Sequence, residues 1–236
     1  MREIDKYALS RLNNLIENTT EGFETYEFHK TASLINNFCA VFLSGFYLDA
    51  LKDILYCDDV KSANRLSTQS AMFEILINLT KMTSPILSFT CEETWKEIIK
   101  ISPGQPKSVF LSDYPASDKK KFLSTEELGK WENILKIRQA VLEACENLRK
   151  EKVIGSNLEA HLDIKFGKKY ASAVKDKENL YLAMGNWDIK LTSDPSDDVL
   201  EVSAAKSSFE KCLRCWRHID GIKNGLCHRC AEVVNK

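Results

Sequence analysis

Four cysteines near the C-terminal end have the type and spacing to bind a metal: Cys212-x2-Cys215-x11-Cys227-x2-Cys230. Two tight pairs separated by a loop can close a tetrahedron of thiolates around one ion. Zinc suits four sulfurs, because it imposes no d-electron geometry and binds thiolate well. Four protein ligands leave no open coordination position, so the spacing implies one structural zinc rather than a catalytic one. A segment this short buries too little apolar surface to fold alone, and metal binding supplies its folding energy. His218 and His228 lie nearby. His228 adjoins Cys227, where geometry disfavours joint ligation, and both histidines read as loop residues. Cys39, Cys57, Cys91 and Cys145 are scattered and read as small buried apolar side chains.

Lys211, Arg214, Trp216, Arg217, Lys223 and Arg229 surround the cysteines. Cations with an aromatic placed among them suit unpaired nucleic acid, because charge holds phosphates and an indole stacks on a base. Residues 211–236 carry six basic and two acidic side chains, a formal +4. Four thiolates around Zn2+ lower that to about +2, so the electrostatic attraction is modest. Trp216 has a second reading, as packing for the cysteine module itself.

The rest of the composition excludes several classes. The chain has 236 residues, 33 basic and 34 acidic, for a net charge of -1. A strongly basic nucleic-acid coat is ruled out, although a local basic patch is not. The charged start, Met1-Arg2-Glu3-Ile4-Asp5-Lys6, is not a signal peptide. No apolar run is read as reaching the roughly 18 residues of a membrane helix. No catalytic constellation appears. Glu92 and Glu93 are adjacent and point about 100° apart on a helix, His29 and His161 are isolated, and Lys119-Lys120-Lys121 reads as a solvated connector.

The elements that position these residues read as mostly helical. Nine glycines and five prolines in 236 residues are few, and both residue types break helices. Periodicity predicts a helix from Ile4 to about Ile16 and a turn at Thr19-Thr20-Glu21-Gly22. A second helix follows from about Thr25 past Phe42, and residues 48–56 continue it or form a short helix of their own. A third helix covers Arg65 to Met82, with Leu66, Met72, Phe73, Leu76 and Leu79 inward. Pro85 opens a fourth, from Ile86 to about Ile101. Residues 102–118 form a proline-rich connector. Ser124, Thr125, Glu126 and Glu127 start a long helix to about Lys152. Alternation then marks a strand at 158–166 and shorter ones near 187–191 and 199–203. A helix fits about Tyr170 to Met184, and 194–198 is a turn.

Several stretches resemble one family in order along the chain. Glu3-Ile4-Asp5-Lys6-Tyr7-Ala8-Leu9 with Leu12-Asn13-Asn14-Leu15, then Phe46-Tyr47-Leu48-Asp49 with Lys52-Asp53, are similar to the anticodon-binding bundle of bacterial isoleucyl-tRNA synthetase. Ser84-Pro85-Ile86-Leu87-Ser88-Phe89-Thr90-Cys91-Glu92-Glu93-Thr94-Trp95 and Ile154-Gly155-Ser156-Asn157-Leu158-Glu159-Ala160 resemble further runs of the same synthetase, and Lys211-Cys212-Leu213-Arg214-Cys215-Trp216 resembles its zinc motif. Two departures stand out: Ser88 takes the place of the usual proline, and the loop of 11 residues between cysteine pairs is short. The nucleotide-binding signatures of class I synthetases are absent.

The resemblance implies a mainly α chain: a helical anticodon-binding bundle (1–118), a long connecting helix (119–152), a small α+β junction domain (153–207) and a four-cysteine zinc module (208–236). It implies a fragment of a larger ATP-dependent isoleucine-tRNA ligase that lacks the catalytic and editing domains, with ATP used only in the missing part and no activity in this chain alone. The implied partner is the tRNA anticodon stem-loop, with no DNA or membrane partner, in a cytoplasmic monomer. Arg214 and Trp216 fall in the motif that approaches the first anticodon nucleotide, with Lys211, Arg217 and Arg229 beside them. Two other readings compete: a helical scaffold whose zinc knuckle binds proteins, and a DNA glycosylase with a C-terminal zinc finger. The second requires a proline at the mature N-terminus and a β-sandwich.

Overall fold

A computed structural model describes residues Met1 to Asn235. The chain packs as two units, residues 1–47 with 66–123, and residues 48–65 with 124–236.

In the first unit, α1 (Glu3–Glu24) buries Ile4, Leu9, Leu12, Leu15 and Ile16 along one face. It is longer than the periodicity predicts, and the turn expected at Thr19-Thr20-Glu21-Gly22 is helical. Thr19 and Thr20 each donate their hydroxyl to a carbonyl a turn back, on Leu15 and Ile16. Gly22 serves close packing rather than a turn, since a Cβ there would sit 2.3 Å from Thr31 Oγ1. The real turn is Thr25-Tyr26-Glu27, with Tyr26 in the left-handed region at φ 62°. Accordingly α2 (Phe28–Asn37) starts later than expected and runs straight into a π-helical segment, Phe38–Tyr47.

Asp5 is fully buried yet satisfied, accepting from Tyr47 Oη at 2.8 Å and Ser67 Oγ at 2.7 Å, with Thr68 Oγ1 at 3.4 Å. Burial, then the Asp5 carboxylate, pushes the Tyr47 phenol far above its ordinary range, so it stays a donor. Ser67 and Thr68 set the roll of α4 (Ala63–Thr83). Its buried residues are Thr68, Ala71, Ile75, Thr80 and Met82, whereas Leu66 and Leu76, expected inward, are exposed. Polar anchors thus help to choose the buried face, which a count of large apolar residues misses.

Pro85 lies in a turn, and α5 (Ser88–Ile101) begins two residues later than expected. Ser88 is the first helical residue, the position at which proline is best tolerated. The connector is fastened to α1: Tyr114 Oη donates to Thr19 Oγ1, the Asp118 N–H to Asn13 Oδ1, and the Leu123 N–H to Ser10 Oγ. Trp95 is fully buried and donates to the Pro106 carbonyl at 2.9 Å. Lys119 and Lys120 are exposed, and Lys121 pairs with Glu74.

In the second unit, α3 (Leu48–Cys57) buries Ala50, Leu51, Ile54 and Cys57. The helix α6 (Thr125–Lys150) starts with a capping box between Ser124 and Glu127 and buries Trp131, Ile134, Ile137, Val141 and Cys145. Arg138 on the same face donates to the Ala183 carbonyl and pairs with Asp49 at 3.3 Å. Against α6 lies a three-stranded sheet in the order β2 (Ile189–Ser193), β1 (Ala160–Phe166), β3 (Leu200–Lys206). β1 runs parallel to β2, with Leu162 opposite Ile189, and antiparallel to β3, with Ala160 opposite Lys206. Ala160, Leu162 and Ile164 alternate into the core at 0% exposure. The helix expected at 170–184 is two helices, α7 (Ala171–Lys175) and α8 (Lys177–Met184), because Asp176 between them caps α8 through the Asn179 N–H. The last helix is α9 (His228–Val234).

One sequence expectation needs correction. The continuous helix Phe28–Cys57 is long and apolar enough, by length and composition, to cross a membrane. Its Phe38, Phe42, Phe46 and Tyr47 side chains are buried within the protein, and Asn36 and Asn37 interrupt its outer surface.

Candidate metal centre and nucleic-acid interface

Backbone hydrogen bonds bring the four cysteines together. The Trp216 N–H donates to the Cys212 carbonyl at 2.8 Å, and the Cys212 N–H to the Arg217 carbonyl at 2.9 Å, closing the first pair into a tight knuckle. The Leu213 N–H donates to Gly225 and joins this knuckle to the second. Gly225 has φ 76°, in the left-handed region that favours glycine, and it packs against the Leu213 side chain. Cys230 then sits in the first turn of α9.

All four thiols are buried, none is in a disulfide, and their sulfurs lie within 4.8 Å of one another. Cys215 and Cys227 are 3.8 Å apart. A tetrahedron with Zn–S bonds of about 2.3 Å has edges of roughly 3.8 Å, so the cluster can hold a metal ion of that size. Burial acts against a Cys212 thiolate, but N–H groups of Cys215, Cys227 and Arg214 outweigh it and bring the thiol down to about 6. Burial pushes Cys215 and Cys227 up. An electropositive ion is what would hold all four as thiolates. Neither histidine belongs to the cluster: His218 Nδ1 meets the Phe209 carbonyl at 2.8 Å, and His228 is exposed.

The cationic side chains divide sharply. Arg214 donates to the Cys57 carbonyl and lies 3.6 Å from Cys230 Sγ. Arg217 is buried, 3.4 Å above the Trp187 ring, and pairs with Asp53. Arg229 pairs with Asp53 at 2.6 Å and with Asp58 at 2.9 Å. Burial lowers Arg217 against the pull of Asp53, whereas Asp53 and Asp58 overcome burial at Arg229 and raise it. These arginines clasp the knuckle to α3.

Lys211 and Trp216 face outward. Trp216 is 60% exposed, so it does not pack beneath the knuckle, and the Lys211 ammonium lies 5.3 Å from its ring centre. Trp216 has φ 64°. A bulky residue in that region is strained, and such strain persists where the surroundings impose it. Leu213 beside it is 72% exposed.

Sequence reading missed the anchors. Asp53 pairs with arginines 164 and 176 residues away, and such separations leave no local signature. Cys57, read as an isolated core residue, packs against the four-cysteine cluster. His161, given no role, contacts Asp188 at 2.7 Å, and Ser207 donates to the same carboxylate at 2.6 Å. The carboxylate sits between them, so His161 is not placed to take the serine proton, as a hydrolytic triad requires.

Residues 5–164 match the family model of the anticodon-binding domain of tRNA ligase. The isoleucine–tRNA ligase of Caldicellulosiruptor bescii is 37% identical over 243 residues, covering 99% of this chain and 26% of that protein. That of Petrotoga mobilis is 36% identical over 255 residues, with 100% and 27% covered. Isoleucine–tRNA ligase 1 of Oceanobacillus iheyensis is 36% identical over 246 residues, with 100% and 26% covered. The chain thus spans about a quarter of the length of these curated relatives. The match takes in both α1, where the glycosylase reading requires a β-sandwich, and the whole of α6, and the chain belongs to the anticodon-binding domain family of tRNA ligases.

Proposed function

We propose that the chain is the C-terminal, anticodon-recognising portion of a bacterial isoleucine–tRNA ligase. Its partner is the anticodon stem-loop of tRNA. ATP-dependent attachment of isoleucine belongs to the parts of the ligase outside this chain, in a cytoplasmic, monomeric enzyme. Cys212, Cys215, Cys227 and Cys230 hold one structural zinc, whose binding folds the knuckle.

The observation that carries the reading is Trp216, held outward in a strained conformation on the metal cluster, with Lys211 above its ring. An exposed indole beside an ammonium is a stacking surface for an unpaired base with a cation for its phosphate. Arg214, Arg217 and Arg229 act on RNA through the pose of the knuckle, because their guanidiniums are engaged with Cys57, Asp53 and Asp58. Similarity to isoleucine–tRNA ligases across the whole chain supports the choice of amino acid.

The test is equilibrium binding of an isoleucine anticodon stem-loop to the zinc-loaded chain. Trp216→Ala should weaken binding by about 1–3 kcal/mol, the worth of one stacked base. Unchanged affinity in a variant that still holds zinc would refute the stacking role.

A further inference from the structure

The first unit holds a groove that this function has not yet used. Arg11, Asn14, Leu15 and Asn18 repeat at helical spacing along one stripe of α1. Leu34, Asn37, Phe38 and Val41 repeat the same way along α2 and the π-helical segment. The stripes face each other across a cavity of about 320 Å³ floored by Phe38 and Phe42. A π-helix is rare and often marks a functional site, and this one supplies part of the wall.

The polar groups in the groove are free to serve a ligand. Asn18 donates its amide to the Asn14 carbonyl at 2.6 Å and to Asn14 Oδ1 at 3.1 Å. That leaves Asn14 with outward N–H donors and Asn18 with an outward oxygen. Asn37 is exposed, and its amide has no partner among the described residues. Arg11 is exposed and lies 5.3 Å from the Phe42 ring centre, with no carboxylate paired to it among the described residues. Among those residues no acid lines the groove.

We infer that this groove takes one unpaired nucleobase of the bound RNA, a second contact resting on the proposed anticodon reading. An amide offers a donor and an acceptor side by side, which matches the edge of a base. A planar, always-charged guanidinium lies flat on a base or forks to a phosphate. The exposed Val41 side chain supplies an apolar face. Three amides and an unpaired cation suit a polyanion with hydrogen-bonding rings, and the lining offers a peptide's own cations no carboxylate. Asn37 is the residue that reads the base, and Arg11 holds it.

The experiment uses the whole zinc-loaded chain and an isoleucine anticodon stem-loop, with each loop nucleotide replaced in turn. Asn37→Ala should reduce discrimination at one loop position about tenfold and leave the other positions as in wild type. Asn37→Asp, which keeps the size and removes the donors, should do the same. Arg11→Ala should weaken every loop and flatten the salt dependence. Trp216→Ala should lower affinity while keeping the preference at the Asn37-dependent position. If both Asn37 variants keep every wild-type preference while Trp216→Ala loses affinity, the groove inference is overturned and the anticodon reading stands. A wild-type chain that binds no stem-loop overturns both.

Discussion

Trp216 and Asp53 show how individual side chains trade stability against presentation. A residue other than glycine in the left-handed region costs about 1–2 kcal/mol, and Trp216 bears that cost at φ 64°. Trp216→Gly should therefore raise the stability of the zinc-loaded chain by about 1 kcal/mol, read by urea unfolding, while it weakens RNA binding. Lower stability would show that the indole packs on the knuckle after all. Asp53 is the converse case, since its value is entirely internal. It accepts from Arg217, whose side chain is only 10% exposed, and from Arg229. Removing it leaves a buried cation unpaired, and Asp53→Ala should cost about 3–5 kcal/mol. A loss under 1 kcal/mol in the same unfolding measurement would mean that water replaces the carboxylate. The four-cysteine pattern was legible because ligand spacing is local, whereas Asp53 was invisible because its partners lie at the far end of the chain.

At the scale of elements, local signals were overruled where two helices approach closely. The start of α6 was readable, since Ser124 and Glu127 form a capping box that depends on four consecutive residues. The strands β1, β2 and β3 were readable from alternation, although not their order. The α1–α2 turn was misplaced because Gly22 looked like a break. Its lack of a Cβ instead admits Thr31. Gly22→Ala tests this. In an exposed helix the change gains up to about 1 kcal/mol, but here overpacking should make it destabilising by about 1–3 kcal/mol. Thr31→Ala on that background should recover most of the loss, and a stabilising Gly22→Ala would put the glycine back among the turn formers. The face of α4 was misread for a related reason: hydroxyls on Ser67 and Thr68 seek Asp5, and that polar anchor turns Leu66 and Leu76 outward.

For the whole molecule, the knuckle and the rest of the chain draw on different sources of stability. The helices and the sheet bury extensive apolar cores, and the knuckle has four thiols with a few half-buried neighbours, Ile219, Ile222 and Leu226. Chelation of the metal should leave most helical circular dichroism in place and remove hydrogen-exchange protection from residues 211–234. Protection retained there without metal would mean that the arginine–Asp53–Asp58 clasp suffices. The central claim is that the chain recognises an anticodon, and binding of whole tRNAs to the zinc-loaded chain tests it most directly. An isoleucine tRNA should bind more tightly than the same tRNA carrying a different anticodon, and substitutions confined to its acceptor end should change nothing. Equal affinity for both anticodons, or dependence on the acceptor end, would contradict the account.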